Sequence, residues 1–141
     1  MMRRIVFNGL LVLAAAGCGG SPQKTYPVSG VVKWSDGQPA TELANANISL
    51  DVVEGTVLRG PRGQVKEDGT FILQTFEPGD GAPEGKYRAI IVPEMIRDDE
   101  APRPKLIMDP RFQDYKKSGL VITVKPEPNN QVQLTVTRTK Q

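Results

Sequence analysis

Short apolar runs that alternate residue by residue, each closed by Gly, Pro, Asn or Asp, constrain this chain more than anything else in it. Ala46, Ile48, Leu50 and Val52 share one side of a run whose other side is Asn47, Ser49 and Asp51. Leu120, Ile122 and Val124 alternate with Val121 and Thr123, and Val132, Leu134 and Val136 with Gln133, Thr135 and Thr137. Side chains two apart in a strand lie on the same face, so each run offers one side to a core and one to water. The same reading marks strands at Val28–Trp34, Ala46–Val53, Gly63–Lys66, Thr70–Phe76, Lys86–Val92, Leu120–Lys125 and Gln131–Arg138. No segment sustains a helical period. Strands this short and this closely spaced predict an all-β fold, a seven- or eight-stranded antiparallel β-sandwich.

Turn chemistry agrees. Asp68-Gly69, between Val65 and Phe71, predicts a hairpin because both residue types tolerate positive φ. Asn129-Asn130 predicts the same between the last two strands, with Pro126 and Pro128 closing the run before it, and Asp36-Gly37 ends the first strand. The 12 prolines fall almost wholly between runs, where no ladder N–H is needed. Pro93–Gly119 breaks the rhythm. Met95 to Pro104 is polar, charged and proline-rich, an expected exposed excursion. Lys105 to Tyr115 regains Leu106, Ile107, Met108, Phe112 and Tyr115, and is expected to pack back on the sheet as a short edge segment or one helical turn. Long loops in compact domains are usually functional or unstructured, so Asp98, Asp99, Arg103, Phe112 and Tyr115 are the candidate interaction residues.

Residues 1–18 speak about location. Arg3 and Arg4 precede an apolar run from Ile5 to Ala16, and small residues lead into Gly17-Cys18. A charged start, a short apolar stretch and small residues at its end describe an export signal. Twelve helical residues span about 18 Å, short of a bilayer core of about 30 Å. With the chain's one cysteine placed at the expected cut, the stretch resembles the lipobox of bacterial lipoproteins. That resemblance implies cleavage between Gly17 and Cys18, a diacylglyceryl group on the Cys18 thiol and acylation of the new amino terminus. It implies a signal peptide over 1–17, a lipidated cysteine and flexible tether over 18–25, and a folded domain over 26–141. Gly19 after Cys18, where some inner-membrane lipoproteins carry aspartate, departs from the retention signal and favours the outer membrane.

Charge then reads differently. The chain has 18 Lys plus Arg and 16 Asp plus Glu, but Arg3 and Arg4 lie in the leader, leaving 16 of each sign. No basic patch emerges, and no nucleic-acid partner is expected. The 124 residues after the cleavage point fit one domain able to bury its own core, with no disulfide to staple it.

The order of several motifs resembles the transthyretin-like, carboxypeptidase regulatory-like superfamily of small sandwich domains. They are Val28-Ser29-Gly30-Val31-Val32, Asp36-Gly37-Gln38-Pro39-Ala40, Ala46-Asn47-Ile48-Ser49-Leu50, Glu67-Asp68-Gly69-Thr70-Phe71-Ile72-Leu73 and Pro83-Glu84-Gly85-Lys86-Tyr87-Arg88-Ala89. Tyr87 after Gly85 resembles a tyrosine corner, whose hydroxyl ties a connection to the backbone. Gly30 inside a strand predicts a close approach or a bulge. Trp34 shares a face with Val28 and Val32 and reads as a core or rim residue.

Chemistry is narrowed by what the composition lacks. With no histidine and no second cysteine, Ser-His-Asp and Cys-His machinery and histidine-based zinc sites are excluded. The hydrolysis of 5-hydroxyisourate that the transthyretin-like resemblance would suggest depends on histidines and is excluded with them. Asp98, Asp99 and Glu100 sit together in a proline-rich stretch with nothing to shield them, and neither they nor Asp36 and Asp80 show calcium-ligand spacing. No enzyme, cofactor or metal site is expected. Two functions stay open: a non-catalytic, membrane-anchored structural or protein-interaction module of the cell envelope, or a lipoprotein that binds glycan or peptide for uptake. The second needs exposed aromatics, so the exposure of Tyr26, Trp34, Phe112 and Tyr115 separates them.

Overall fold

Strand alternation becomes layers in the computed structural model, which describes residues 23–94 and 107–140. Seven strands appear: β1 (Val28–Trp34), β2 (Asn47–Glu54), β3 (Arg62–Gln64), β4 (Thr70–Ile72), β5 (Gly85–Val92), β6 (Leu120–Val124) and β7 (Asn130–Val136). They form a three-stranded sheet in the order β4-β1-β7 and a four-stranded sheet in the order β3-β2-β5-β6. Helix among the described residues is confined to two 3₁₀ turns, Thr41–Leu43 and Pro110–Gln113. The second lies within the stretch expected to fold back on the sheet, and Met108 beside it bridges Arg138 as a short edge segment.

The inward sides of the runs make one core. Val28, Val32 and Trp34 of β1, Ile48 and Leu50 of β2, Tyr87, Ala89 and Ile91 of β5, and Leu134 and Val136 of β7 are all buried in a single cluster. Trp34, at 2 % exposure, is a core residue. Burying side chains of this size contributes about 1.5–3 kcal/mol each before the opposing entropy of ordering them.

Four expectations need correction. The sandwich is not wholly antiparallel: β1 pairs with β7 in parallel, from Val28 opposite Asn130 to Trp34 opposite Val136. Alternation fixes a strand's faces but carries no direction, so it cannot distinguish the two pairings. Asp68-Gly69 does make a tight turn, with Gly69 at φ 84° and Lys66 N–H bonded to the Thr70 carbonyl. Its two arms nevertheless leave for different sheets, β3 pairing with β2 and β4 with β1. Beyond the turn a bridge between Arg62 and Gln74 joins the arms again, and β4 stops at Ile72, well before the expected end at Phe76.

Asn129-Asn130 is not a hairpin turn either, because β6 and β7 belong to opposite sheets. Asn130 is buried and acts as a clamp. Its Oδ1 accepts from the Lys125 N–H at 2.9 Å, and its Nδ2 donates to the carbonyls of Lys125, Glu127 and Pro27. A buried amide that satisfies several main-chain groups is costly to remove, since each orphaned partner loses about 1–3 kcal/mol.

Tyr87 fulfils its expected role. It is fully buried, donates its hydroxyl to the Pro83 carbonyl at 2.7 Å, and burial pushes its phenol up to about 12. Gly30 marks a close approach. A Cβ there would lie 2.5 Å from Phe71 Cζ and 2.5 Å from the Val132 carbonyl oxygen, so the central strand has no room for a methyl.

Two outcomes follow from this packing. Gly30→Ala should lower stability by about 1–3 kcal/mol through overpacking between β4 and β7, measured as a lower urea midpoint at unchanged slope. Asn130→Ala should cost about 2 kcal/mol, because it removes the amide that satisfies main-chain groups of Lys125 and Glu127. A midpoint within error of the native chain would refute either reading.

Candidate interaction surface

The four aromatics that decide between the two functions are not displayed. Trp34 and Phe112 are each 2 % exposed, and Tyr26 and Tyr115 are half-buried. Each carries a cation over its ring: Arg138 lies 4.2 Å from the Trp34 centroid, Arg111 4.6 Å from Phe112, Lys24 5.3 Å from Tyr26 and Arg88 5.8 Å from Tyr115. Such contacts are worth about 0.5–1 kcal/mol at exposed sites. They also occupy the faces on which a sugar ring would stack.

At Trp34 the arrangement closes into a three-part cluster. β1 ends there in the turn through Asp36-Gly37, and the 3₁₀ turn Thr41–Leu43 brings Glu42 back over the indole. Glu42 accepts the indole N–H at 2.9 Å and the Arg138 guanidinium at 3.0 Å. The indole N–H above all, then the backbone and Arg138, hold the Glu42 carboxyl at about 2 against an ordinary 4.5. Residues distant in the chain are thus stitched at one end of the sandwich.

A second cluster lies on the outward face of the β2–β5 pair. Asp51 and Arg88 are directly opposite in register, and the guanidinium bonds one carboxylate oxygen through Nε at 3.0 Å and Nη2 at 2.6 Å. Both side chains are about two-fifths exposed, so the pair is worth about 0–1 kcal/mol. Burial first, then the Asp51 charge, push the Tyr115 phenol up, while Arg88 acts the other way. The arrangement is a satisfied surface network with no free nucleophile.

Other carboxylates are equally committed. Asp80 accepts the N–H groups of Thr75, Phe76 and Glu77. Burial opposes its charge, yet those three donors win and hold the carboxyl below its usual range. Asp68 is likewise lowered, by the Thr70 hydroxyl and N–H. Among the described residues no group of three or more His, Cys, Asp or Glu is placed to hold a metal, and no helix is long and apolar enough to cross a membrane. Among the described residues are two open grooves of about 360 and 400 Å³, the first running over Ser29, Val31, Thr70 and Gln131, the second over Arg62, Gln64 and Lys66.

Of the residues singled out from the sequence, Gly17, Cys18, Asp98, Asp99 and Arg103 lie outside the described residues. Phe112 is in the 3₁₀ turn Pro110–Gln113 with its ring inward, and Tyr115 packs near Arg88. The feature that sequence reading missed is a strand edge. β3 and β4 are three residues each, with Arg62 of β3 bridged to Gln74 just after β4, and β6 is five residues ended by Lys125 and Pro126. β7 is a seven-residue edge, and no charged residue or proline occurs from Asn129 to Thr137. Its signal was present in the sequence as that uncharged run.

No family model matches this chain, and no curated protein matches it. Among solved structures it is similar to a DUF3823 family protein from Parabacteroides merdae, at 19 % identity and a TM-score of 0.45, over 82 % of this chain and 47 % of that one. It is also similar to a 9R-lipoxygenase from Cyanothece, at 17 % identity and a TM-score of 0.40, over 81 % of this chain and 16 % of that one. This chain therefore spans about half the length of the first and about a sixth of the second.

The Glu42 cluster gives a pH outcome. A carboxyl whose folded value lies below its unfolded one contributes stability above about pH 4.5 and loses it as the pH falls toward about 2. The stability difference between the native chain and Glu42→Gln should therefore be constant above pH 5 and shrink between pH 4.5 and 2. Urea midpoints measured across that range check it, and a difference independent of pH would show that the indole and Arg138 contacts do not favour the carboxylate.

Proposed function

We propose that this chain is a non-catalytic, lipid-anchored sandwich domain of the cell envelope that works as a structural or protein-interaction module. The observation that carries the reading is the packing of Tyr26, Trp34, Phe112 and Tyr115, all buried or half-buried beneath cations, which favours the module over a glycan- or peptide-capturing lipoprotein. The absence of histidine from the whole sequence supports the non-catalytic part.

A transthyretin-like or carboxypeptidase regulatory-like membership is supported by where the motifs sit. Val28-Ser29-Gly30 lies in β1, Asp36-Gly37 in the turn after it, Asn47-Ile48 in β2, Asp68-Gly69 in the crossing to β4, and Gly85-Lys86-Tyr87 at the start of β5 with its hydroxyl tie. The anchor is supported by the leader Arg3–Gly17 and by Cys18. Gln23, five residues beyond Cys18, already bonds the loop after β2 through Leu58 N–H and the Thr56 carbonyl. Five residues reach at most about 18 Å, so a lipid on Cys18 would hold the sandwich close to its membrane.

Each buried methylene of an acyl chain contributes about 0.8 kcal/mol, and two or more chains make attachment lasting. The native chain should sediment with membranes and dissolve in detergent, and Cys18→Ala should appear in the soluble fraction. Continued membrane association of the variant, or an unmodified thiol by mass spectrometry of the native product, would overturn the anchor. Affinity capture from detergent-solubilised membranes, with Cys18→Ala as control, tests the module itself.

A further inference from the structure

The edge of β7 is where the fold leaves main-chain hydrogen-bonding capacity unspent. In a strand the N–H and C=O of one residue point to the same side and those of the next residue to the other. Asn130 N–H bonds the Pro27 carbonyl, so Asn130, Val132, Leu134 and Val136 face β1. Gln131, Gln133 and Thr135 then face outward. The alternation continues correctly beyond them, since the Thr137 carbonyl accepts from Asp109 N–H and Thr139 N–H donates to the Ile107 carbonyl on that outer side. Among the described residues nothing pairs with the main chain of Gln131, Gln133 or Thr135 on this edge.

Exposed edges in natural sheets are short, charged, bulged or covered. β7 has seven residues, regular register with β1 throughout, and no charge or proline between Pro128 and Arg138. At its far end Met108 pairs antiparallel with Arg138, flanked by the Asp109–Thr137 and Thr139–Ile107 bonds. The open stretch is therefore bounded at Thr137 on one side and at the Asn130 clamp on the other.

We infer that this edge is a pairing site for a second copy of the same chain, β7 against β7 in antiparallel about a two-fold axis at Gln133. The inference rests on the interaction-module reading and names the surface and the partner. The register is set by the outward residues, because hydrogen-bonded pairs must form among Gln131, Gln133 and Thr135. With Gln133 opposite its own copy, Gln131 meets Thr135, and Val132, half-buried, meets Leu134. Every opposed pair is uncharged or apolar, as a self-complementary interface requires. Thr137 then falls opposite Asn129, so the paired stretch ends where the Asp109 contact begins. The two three-stranded sheets would become one continuous sheet across the axis.

Cysteine pairing in the purified full chain in detergent tests the register. Hydrogen-bonded antiparallel pairs hold their Cα atoms about 5.5 Å apart, within the roughly 4.4–6.8 Å that a disulfide spans. Gln133→Cys alone should form a covalent dimer on mild oxidation. Gln131→Cys alone should not, since its copy lies about 14 Å along the strand, but mixing Gln131→Cys with Thr135→Cys should. The native chain, with only Cys18, is the background. Gln133 is exposed, so Gln133→Lys should keep the fold by circular dichroism while opposing like charges at the axis, and sedimentation should shift from dimer to monomer. Equal cross-linking at 131 and 133, or none at 133, would overturn the inference. So would a native chain that sediments as a monomer while capturing another envelope protein, an outcome that leaves the module reading standing.

Discussion

The parallel ladder between β1 and β7 is the constraint on which the rest of the structure depends. It joins segments about a hundred residues apart, with Asn130 bonding Pro27 through both its backbone N–H and its side chain. Bringing such distant segments together costs chain entropy that no local contact offsets. The reward is that β1 becomes the central strand of its sheet, flanked by β4 and β7, and can present Val28, Val32 and Trp34 wholly to the core. Gly30 is the local condition for this. Any Cβ there would strike Phe71 on one neighbour and Val132 on the other.

What the chain's pattern made legible was faces, and what it left hidden was partners. Ile48 and Leu50, Tyr87 and Ala89, Leu134 and Val136 are inward as alternation required, because burial is decided residue by residue. The assignment of strands to sheets is a property of loops that cross the sandwich, and turn residues do not encode it. Asp68-Gly69 has the φ of a hairpin turn, yet it sits at a corner where the chain passes from one sheet to the other. Asn130 looked like a turn residue because asparagine is common in turns. Its buried amide instead satisfies the crossing between β6 and β7. The β7 edge was legible only as composition, since its exposure depends on which strand lies beside it.

Cations over aromatic rings give the surface its character. Arg138, Arg111, Arg88 and Lys24 each shelter apolar ring area that would otherwise face water, their long stems packing while their charged heads stay solvated. At Trp34 the effect is strongest, because Glu42 neutralises Arg138 and takes the indole proton donor as well. The same contacts leave no bare aromatic platform among these four rings.

On the proposed reading, recognition by such a surface comes from the backbone, and the four strand edges are not equal in this respect. β3 and β4 are too short, Arg62 of β3 being bridged to Gln74 just after β4, and β6 runs into Lys125 and Pro126. β7 cannot protect itself by turning a charge inward, since Leu134 and Val136 are core residues on that side. On its outer side Gln131, Gln133 and Thr135 could have been lysines without touching the core, and they are not. Main-chain pairing alone discriminates little between sequences, so specificity at this edge has to lie in length and register. Both are set here by the fold itself, by the Asn130 clamp at one end and the Asp109–Thr137 bond at the other.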